Sequence, residues 1–171
     1  MAAPTILPYR SIMPKIDPSA FIAPGAIVIG DVEIGAESSI WPGCVLRGDV
    51  QAIRIGARTN IQDGTVIHVT AGGQGVHIGD EVTVGHMALL HDCTLESRSF
   101  AGMKAIVMDG AKVESHGVLA AGALLTPGKI LPGDQLWTGS PAKYKRNLTE
   151  SDRAEFGTRW QEYVDLMRTY A

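Results

Sequence analysis

A large aliphatic residue returns at every sixth position through most of this sequence. The first run comprises Ile22, Val28, Ile34, Ile40 and Leu46. After a three-residue shift the phase resumes at 55, 61 and 67, and after a glycine-rich insertion at 70–75 it continues at 78, 84 and 90. The spacing shortens once, from Leu90 to Leu95, and the six-residue period then runs from 95 to 131. A period sustained over such a length indicates one small structural unit stacked many times.

The six-residue period matches neither the 3.6-residue turn of an α-helix nor simple alternation in a strand. It fits a short strand followed by a turn, with one large aliphatic side chain pointing inward and a small residue near the corner. Three such units close one triangular coil of about 18 residues, and coils stack at the strand spacing of about 4.8 Å. The pattern therefore predicts an all-β fold, a three-sided parallel β-helix over residues 21–142.

The two ends of the chain depart from the repeat. Residues 1–20 are predicted to form an irregular N-terminal cap, and residues 149–170 a C-terminal α-helix that packs on the prism or on a neighbouring subunit. Thr149, with Asp152 three positions later, resembles a helix N-cap with an acidic first turn. The apolar residues that then recur at helical spacing are Phe156, Trp160, Tyr163 and Met167. Residues 1–171 are expected to form a single domain.

Composition narrows the classes of partner. The net charge of −3 and the pI near 5.9 provide no basic surface for nucleic acid. Neither a signal peptide nor a membrane-spanning apolar run is evident, so we expect no membrane partner and a cytoplasmic location. Cys44 and Cys93 do not suggest a disulfide framework and are expected to be free, buried thiols in a reducing compartment.

The repeat also fixes where the polar side chains point. Counting units from Leu46 places the residue after each first-face aliphatic, namely Arg47, His68 and His91, on one edge in consecutive coils. His68 and His91 are therefore expected to lie close enough to share one metal ion. Asp63 and His86 each follow a third-face aliphatic by two positions, so they are expected to stack on a different edge.

Two edges of one prism cannot easily share a site, because the apolar interior separates them. They can meet if three prisms associate around a threefold axis, which predicts a homotrimer with three identical sites. Each site would hold His68 and His91 of one chain and His86 of the next. Three imidazoles and an open position are typical of catalytic zinc, although Fe2+ and Co2+ accept the same ligands. The same docking would bring Arg47 and Asp49 towards Asp63, where an ion pair could fix the register.

Simpler interpretations exist for each residue taken alone. A single histidine on a β-helix is more often a surface or interface residue than a ligand, and it is the stacking of three that favours a metal. Arg47 and Asp63 are read mainly as an assembly contact, and Gln62 could be a solvated side chain. Cys93 follows His91 by two positions, but its place in the repeat favours packing over thiol ligation.

These residues together resemble the γ-class carbonic anhydrase family. The resemblance runs from about Pro14 to Asn147. The motifs that carry it are Arg47-Gly48-Asp49, Asn60-Ile61-Gln62-Asp63-Gly64, His68, the spacing from Val84-Gly85-His86 to His91, and Gly-Ser-Pro-Ala-Lys at 139–143.

The resemblance implies a left-handed β-helix and hydration of CO2 to bicarbonate by water activated at a metal. It assigns the metal to His68, His86 and His91, and it implies that Gln62 and Asn60 contact the activated water or bicarbonate. Arg47, Asp49 and Asp63 would form the ion-pair network between subunits.

One segment departs from the family pattern. The well-studied active branch carries a glutamate soon after the first histidine ligand as a proton shuttle, whereas residues 69–75 contain no carboxylate. Turnover could therefore be slow, and a non-catalytic metal-binding assembly protein is one alternative function. A hexapeptide-repeat acyltransferase, with one histidine as general base, is another, with acyl-CoA thioester hydrolysis as its variant.

Overall fold

The chain winds into a left-handed parallel β-helix of about seven turns, seen in a computed structural model that describes residues 3–170. The strands form three faces, and β4 and β6 each run across the corner between the first and second faces. The first face contains β1 (Thr5–Leu7), the first halves of β4 (Ile27–Ile34) and β6 (Val45–Ile55), β8 (Val66–His68), β11 (Leu89–His91), β14 (Ile106–Val107) and β17 (Leu124–Leu125).

The other two faces follow the same stacking order. The second face contains β2 (Lys15–Ile16), the second halves of β4 and β6, β9 (Val76–Ile78), β12 (Thr94–Leu95), β15 (Lys112–Val113) and β18 (Ile130–Leu131). The third face contains β3 (Phe21–Ile22), β5 (Ser39–Ile40), β7 (Asn60–Ile61), β10 (Thr83–Val84), β13 (Phe100–Ala101), β16 (Val118–Leu119), β19 (Gln135–Thr138) and β20 (Lys143–Asn147). Of these strands, β20 alone runs antiparallel to its neighbour.

The repeated aliphatic side chains fill the interior of the prism. Leu46, Ile67 and Leu90 lie one above another on the first face, and all three are fully buried. Ile61 and Val84 are stacked and buried in the same way on the third face. Burying one such side chain contributes about 1.5–3 kcal/mol. The predicted inward positions of the repeat are thus confirmed, and their column is the main source of stability.

Both cysteine thiols lie in this interior. Cys44 and Cys93 are free and buried, as predicted. Burial raises the pKa of the Cys44 thiol to about 11 and raises that of Cys93 as well. Neither thiol ionises at neutral pH, so neither offers the thiolate that a metal ion or a redox reaction requires.

The N-terminal segment is more regular than expected. Instead of an irregular cap, β1 pairs in parallel with Ile27–Ile29 and β2 pairs with Glu33 and Ile34. Residues 3–20 therefore supply the lowest strands of the first and second faces. The first two residues and the last residue of the chain lie outside the described residues.

The C-terminal segment is helical, as predicted, with one interruption. Helix α1 spans Glu150–Gly157 and α2 spans Arg159–Arg168, with a break at Thr158. Thr149 is the N-cap of α1, in a capping box with Asp152, as the sequence predicted. The helices cover the third face. Of the predicted apolar stripe, Trp160, Tyr163 and Met167 pack around Trp41 together with Val164. Phe156, the fourth predicted member, lies on α1 and packs on Phe100 instead. Neither helix is long and apolar enough to cross a bilayer, and the cellular location stays a prediction.

Five charged side chains and one histidine form a vertical column at the corner between the second and third faces. Each lies three positions after a stacked second-face aliphatic and has a φ of 53° to 64°; they are Glu37, Arg58, Glu81, Arg98, His116 and Asp134. The helices close both ends of this charge column, since Arg168 pairs with Glu37 at 2.7 Å and Arg153 with Asp134 at 2.8 Å. The column thus fastens the helical segment to the prism.

Replacing Glu81 by glutamine should destabilise the fold by about 1 kcal/mol at pH 7. Its carboxylate accepts hydrogen bonds from Arg58 Nη2 at 2.8 Å and Arg98 Nε at 2.7 Å, and the side chain is 11% exposed. Burial would raise the pKa of Glu81, but the hydrogen bonds from Arg58 and Arg98 outweigh it and hold the pKa below its ordinary value of 4.5. A depressed folded-state pKa contributes stability above the unfolded value, and that stability is lost as the pH falls.

Urea titrations should therefore show a constant difference between wild type and Glu81→Gln near neutral pH, shrinking below pH 4.5. The control is Glu33→Gln, because Glu33 is 40% exposed and its partners are the exposed Lys15 at 3.0 Å and Arg54 at the longer distance of 3.5 Å. That change should cost less than about 0.5 kcal/mol. Equal effects of the two substitutions at neutral pH would show that the charge column does not stabilise the fold.

Candidate metal centre

Two imidazoles face each other where the first face ends. His68 and His91 are paired residues on β8 and β11, and both side chains are half-buried. Nδ1 of His68 lies 3.2 Å from Nε2 of His91. Their inward neighbours Ile67 and Leu90 are stacked in the core. The hexapeptide register therefore places the two histidines one above the other, as the sequence predicted.

A carboxylate holds the far nitrogen of each ring. His68 Nε2 lies 3.2 Å from Asp49 Oδ1, and His91 Nδ1 lies 2.8 Å from Asp109 Oδ1. Burial would raise the pKa of Asp49, but hydrogen bonds from Arg47 and His68 outweigh it and lower the pKa. Hydrogen bonds from Thr70 and then His91 lower the pKa of Asp109.

Both carboxylates are therefore ionised at neutral pH and can accept the proton of the imidazole nitrogen that each one contacts. When each ring donates to its carboxylate, the two nitrogens that face each other carry lone pairs, which is the arrangement that metal-binding histidines adopt. The spacing also fits: a tetrahedral zinc ion with bonds of about 2.0–2.1 Å places two ligand nitrogens about 3.3 Å apart. The observed 3.2 Å agrees with that separation.

A buried carboxylate shapes the loop beside this pair. The side chain of Asp92 accepts hydrogen bonds from the backbone N–H groups of Gly75 at 2.9 Å, Gln74 at 3.2 Å and Thr70 at 3.3 Å. The loop in turn directs the Thr70 hydroxyl to Asp109 Oδ2 at 2.6 Å. The insertion that interrupts the repeat therefore positions the carboxylate that holds His91.

The third predicted ligand lies at a different corner. His86 follows β10 at the end of the third face, and its Nδ1 lies 2.9 Å from Asp63 Oδ2. The first face separates this corner from the one that carries His68 and His91. Within residues 3–170, no group of three or more His, Cys, Asp or Glu side chains is arranged to hold a metal ion.

The other predicted site residues divide between the same two corners. Gln62 Nε2 donates to Asn60 Oδ1 at 3.0 Å, and Asn60 Nδ2 donates to Thr83 Oγ1 at 3.0 Å, so the carbonyl oxygen of Gln62 stays available as an acceptor. Gln62 is 5% exposed. Arg47 forms its ion pair with Asp49 of the same chain, while Asp63 contacts His86. A contact of Arg47 with Asp63 of another subunit stays a prediction.

A cavity of about 500 Å³ opens beside Gln62 and His86, between the third face and the helices. We call it the third-face cavity. Most of its wall is apolar, formed by Phe100, Met103, Val118, Leu136 and Phe156. Its polar lining includes Gln62, His86, Glu155, Arg159 and Tyr163. Burial raises the pKa of the Tyr163 phenol, so it stays protonated and can donate a hydrogen bond.

Sequence reasoning missed Asp109, Thr70 and Tyr163 as neighbours of these sites. A signal existed for Asp109, because Val107 stacks on Leu90 in the next coil and Asp109 follows Val107 by two positions, at the corner that carries His91. The helical spacing of Tyr163 predicts packing alone. Its place in the cavity depends on how the helices dock, which periodicity does not reveal.

Comparison with known proteins identifies the family. A family model for the bacterial transferase hexapeptide (six repeats) matches residues 13–48. The chain is 47% identical to "Gamma carbonic anhydrase 1, mitochondrial" of Arabidopsis thaliana over 92% of its own length, and it spans 59% of that relative. It is 41% identical to "Carbonic anhydrase" of Geobacillus kaustophilus, over 96% of this chain and 90% of that one. This chain belongs to the γ-class carbonic anhydrase family.

A solved structure confirms the fold of this γ-class member. It is described as a hexapeptide transferase family protein from Anaplasma phagocytophilum, with 47% sequence identity and a TM-score of 0.94, covering 98% of both chains. Proteins similar to this chain in sequence and fold are thus named both as γ-carbonic anhydrases and as hexapeptide transferases. The activity has to be argued from the site.

Proposed function

We propose that this γ-class protein catalyses the reversible hydration of CO2 to bicarbonate at a metal centre shared between subunits of a homotrimer. His68 and His91 of one subunit and His86 of the next would bind the metal ion. The observation that carries the proposal is the pair of imidazole nitrogens 3.2 Å apart, each ring held from behind by an ionised aspartate. A structural histidine pair would not need that backing.

The outer side of the first face supports the trimer. Its outward residues form an aliphatic stripe: Ile27, Val45, Val66, Leu89, Ile106 and Leu124. The corresponding positions of the second face are mainly polar: Lys15, Glu33, Arg54, His77, Thr94 and Lys112, followed by Ile130. An uncovered aliphatic stripe of this length is typical of a protein interface.

A second copy of this chain is the partner that this stripe fits, because the first face lies between the two half-sites. His86 stands at the corner where the face begins, and His68 and His91 stand at the corner where it ends. A threefold axis in front of the first face would bring the His86 corner of one subunit next to the His68 and His91 corner of its neighbour. Exposed Met87 and Met103 beside His86, and exposed Val50 beside Asp49, provide apolar surface for that contact.

The residues of this chain then have distinct roles. A bound zinc, Fe2+ or Co2+ ion would supply acidity, lowering the pKa of a water molecule from about 15.7 towards 7. Asp49 and Asp109 hold the rings of His68 and His91. Gln62, fixed by Asn60, presents its carbonyl oxygen to orient the attacking water, and the apolar wall of the third-face cavity suits uncharged CO2. Because residues 69–75 lack a carboxylate, buffer would have to accept the released proton.

Stopped-flow CO2 hydration tests the proposal. Protein purified anaerobically and loaded with Zn2+, Fe2+ or Co2+ should accelerate hydration well above the buffer rate, and a chelator should abolish the effect. Dialysis against the metal should restore it. A protein that binds one metal ion per chain without accelerating hydration would be a metal-binding assembly protein, and acyl-CoA substrates would be assayed next.

Asp109→Asn should weaken metal binding about 10- to 100-fold without dissociating the trimer. The amide cannot accept the His91 proton as strongly as the carboxylate, so His91 loses its fixed orientation. Thr70→Val removes the hydrogen bond to the far oxygen of Asp109 and should give a smaller loss. Competition with a chromogenic chelator measures both affinities, and an unchanged affinity in Asp109→Asn would show that the aspartate does not support a metal ligand.

A further inference from the structure

The third-face cavity is far larger than CO2 requires. Its volume of about 500 Å³ lies in the range of pockets that hold drug-sized organic molecules, whereas CO2 has only three heavy atoms. The cavity is also long. Gln62 follows β7 and Leu136 lies on β19, four strand spacings further up the third face, or about 19 Å.

The two ends of this length differ in chemistry. Gln62 and His86 lie on the coils of β7 and β10, and Tyr163 adds a phenol from α2. Above them the wall is formed by Phe100, Val118 and Leu136 on three successive strands, and by Phe156 from α1, whose ring packs on Phe100 with 4.8 Å between centroids. A molecule that matches both ends has a hydrogen-bonding head and an aliphatic tail.

The charges in the cavity select against an anionic head. Arg159 is its cationic lining residue, but that guanidinium lies 3.1 Å from Glu162 and 3.9 Å from Glu155. Two carboxylates thus outnumber the one guanidinium, so Arg159 is already paired and does not attract a fatty-acid carboxylate. The glutamates would repel it.

We propose that the third-face cavity is a binding site for an uncharged linear aliphatic molecule, such as a medium-chain alcohol or amide. Its head group hydrogen-bonds to Gln62 and Tyr163 beside His86, and its tail lies along Phe100, Val118 and Leu136. The occupant blocks access to the half-site at His86, so it competes with CO2. That competition rests on the function proposed above, whereas the binding does not.

Calorimetric titration of metal-stripped protein with butan-1-ol, hexan-1-ol and octan-1-ol tests the binding. Each added methylene should tighten binding about fourfold until the cavity is full. Octanoate should bind at least tenfold more weakly than octan-1-ol. Val118→Phe, which places a ring in the cavity, should weaken octan-1-ol binding at least tenfold. Ile130→Phe is the matched control on the exposed outer side of the second face and should have no effect.

Nuclear Overhauser effects between the octan-1-ol methyl group and the rings of Phe100 and Phe156 provide a test that needs no variant. Absence of these effects, or affinities that do not change with chain length, would overturn the proposed site. In metal-loaded protein octan-1-ol should raise the KM for CO2 and leave kcat unchanged. If octan-1-ol binding depends on Val118 but the metal-loaded protein does not hydrate CO2, the proposed enzymatic function is refuted. The proposed binding site for aliphatic molecules is then still supported.

Discussion

Chains carrying His68→Ala and chains carrying His86→Ala should each be inactive alone and should recover activity when they are co-expressed. Each homotrimer lacks one ligand at all its sites. In a mixed trimer, a site can take His68 and His91 from a His86→Ala chain and His86 from a neighbouring His68→Ala chain. Random assembly restores about one site in four. The chain that supplies His68 and His91 has an even chance of being the His86→Ala variant, and its neighbour has an even chance of being the His68→Ala variant.

The recovered signal should appear in metal content and in CO2 hydration alike, each at about a quarter of the wild-type value per chain. The matched control co-expresses His68→Ala with His91→Ala. These two side chains belong to the same half-site, with facing nitrogens 3.2 Å apart in one chain. No mixture of those chains assembles a complete set. Recovery in that control, or none with His86→Ala, would refute a site divided between subunits.

Leu89→Lys should convert the trimer to monomers, whereas Thr94→Lys should leave it intact. Leu89 lies in the middle of the aliphatic stripe of the first face, and Thr94 holds the corresponding outward position on the second face. Burying an unpaired ammonium group between Val66 and Ile106 in the interface would cost several kcal/mol, while the same group on the second face stays in water.

Light scattering after gel filtration gives the mass of each variant, and circular dichroism shows whether the monomer keeps its fold. Because Leu89 points outward, the Leu89→Lys monomer should stay folded, and its metal content should fall as it loses His86 of its neighbour. A trimeric Leu89→Lys, or a monomeric Thr94→Lys, would mean that the subunits associate through another surface.

The hexapeptide period predicted much of this geometry because it sets the direction of every side chain. Once Leu46, Ile67 and Leu90 point inward, the next residue on each strand must point outward at the same edge, and His68 and His91 meet there. Arg47 was expected in the same column. Arg47 follows Leu46, which pairs with Ile67, and its guanidinium binds Asp49, whose other carboxylate oxygen lies 3.2 Å from His68 Nε2.

The elements that periodicity predicted poorly depend on tertiary pairing. Thr5–Leu7 precedes the first repeat and becomes a strand because Ile27–Ile29 offers a free edge. The helical spacing of Phe156, Trp160 and Tyr163 continues through Thr158, so the break between α1 and α2 was not visible in the apolar pattern. The third-face cavity depends on the distance between the docked helices and the sheet, and no sequence pattern encodes that distance.

The last strand gives this repeat protein a finite length. The open strand edge of a parallel coil can pair with a coil of another molecule, and repeated pairing of this kind is how fibrils grow. On the third face that edge is occupied by β20, which runs in the opposite direction and carries Lys143, Lys145 and Arg146 on an exposed segment. The incoming coil of another molecule would meet the wrong strand polarity and the positive charges of Lys143 and Lys145, while Arg146 is paired with Asp152. At this end of the third face, a sequence rich in β-forming aliphatics is thereby protected from end-to-end polymerisation.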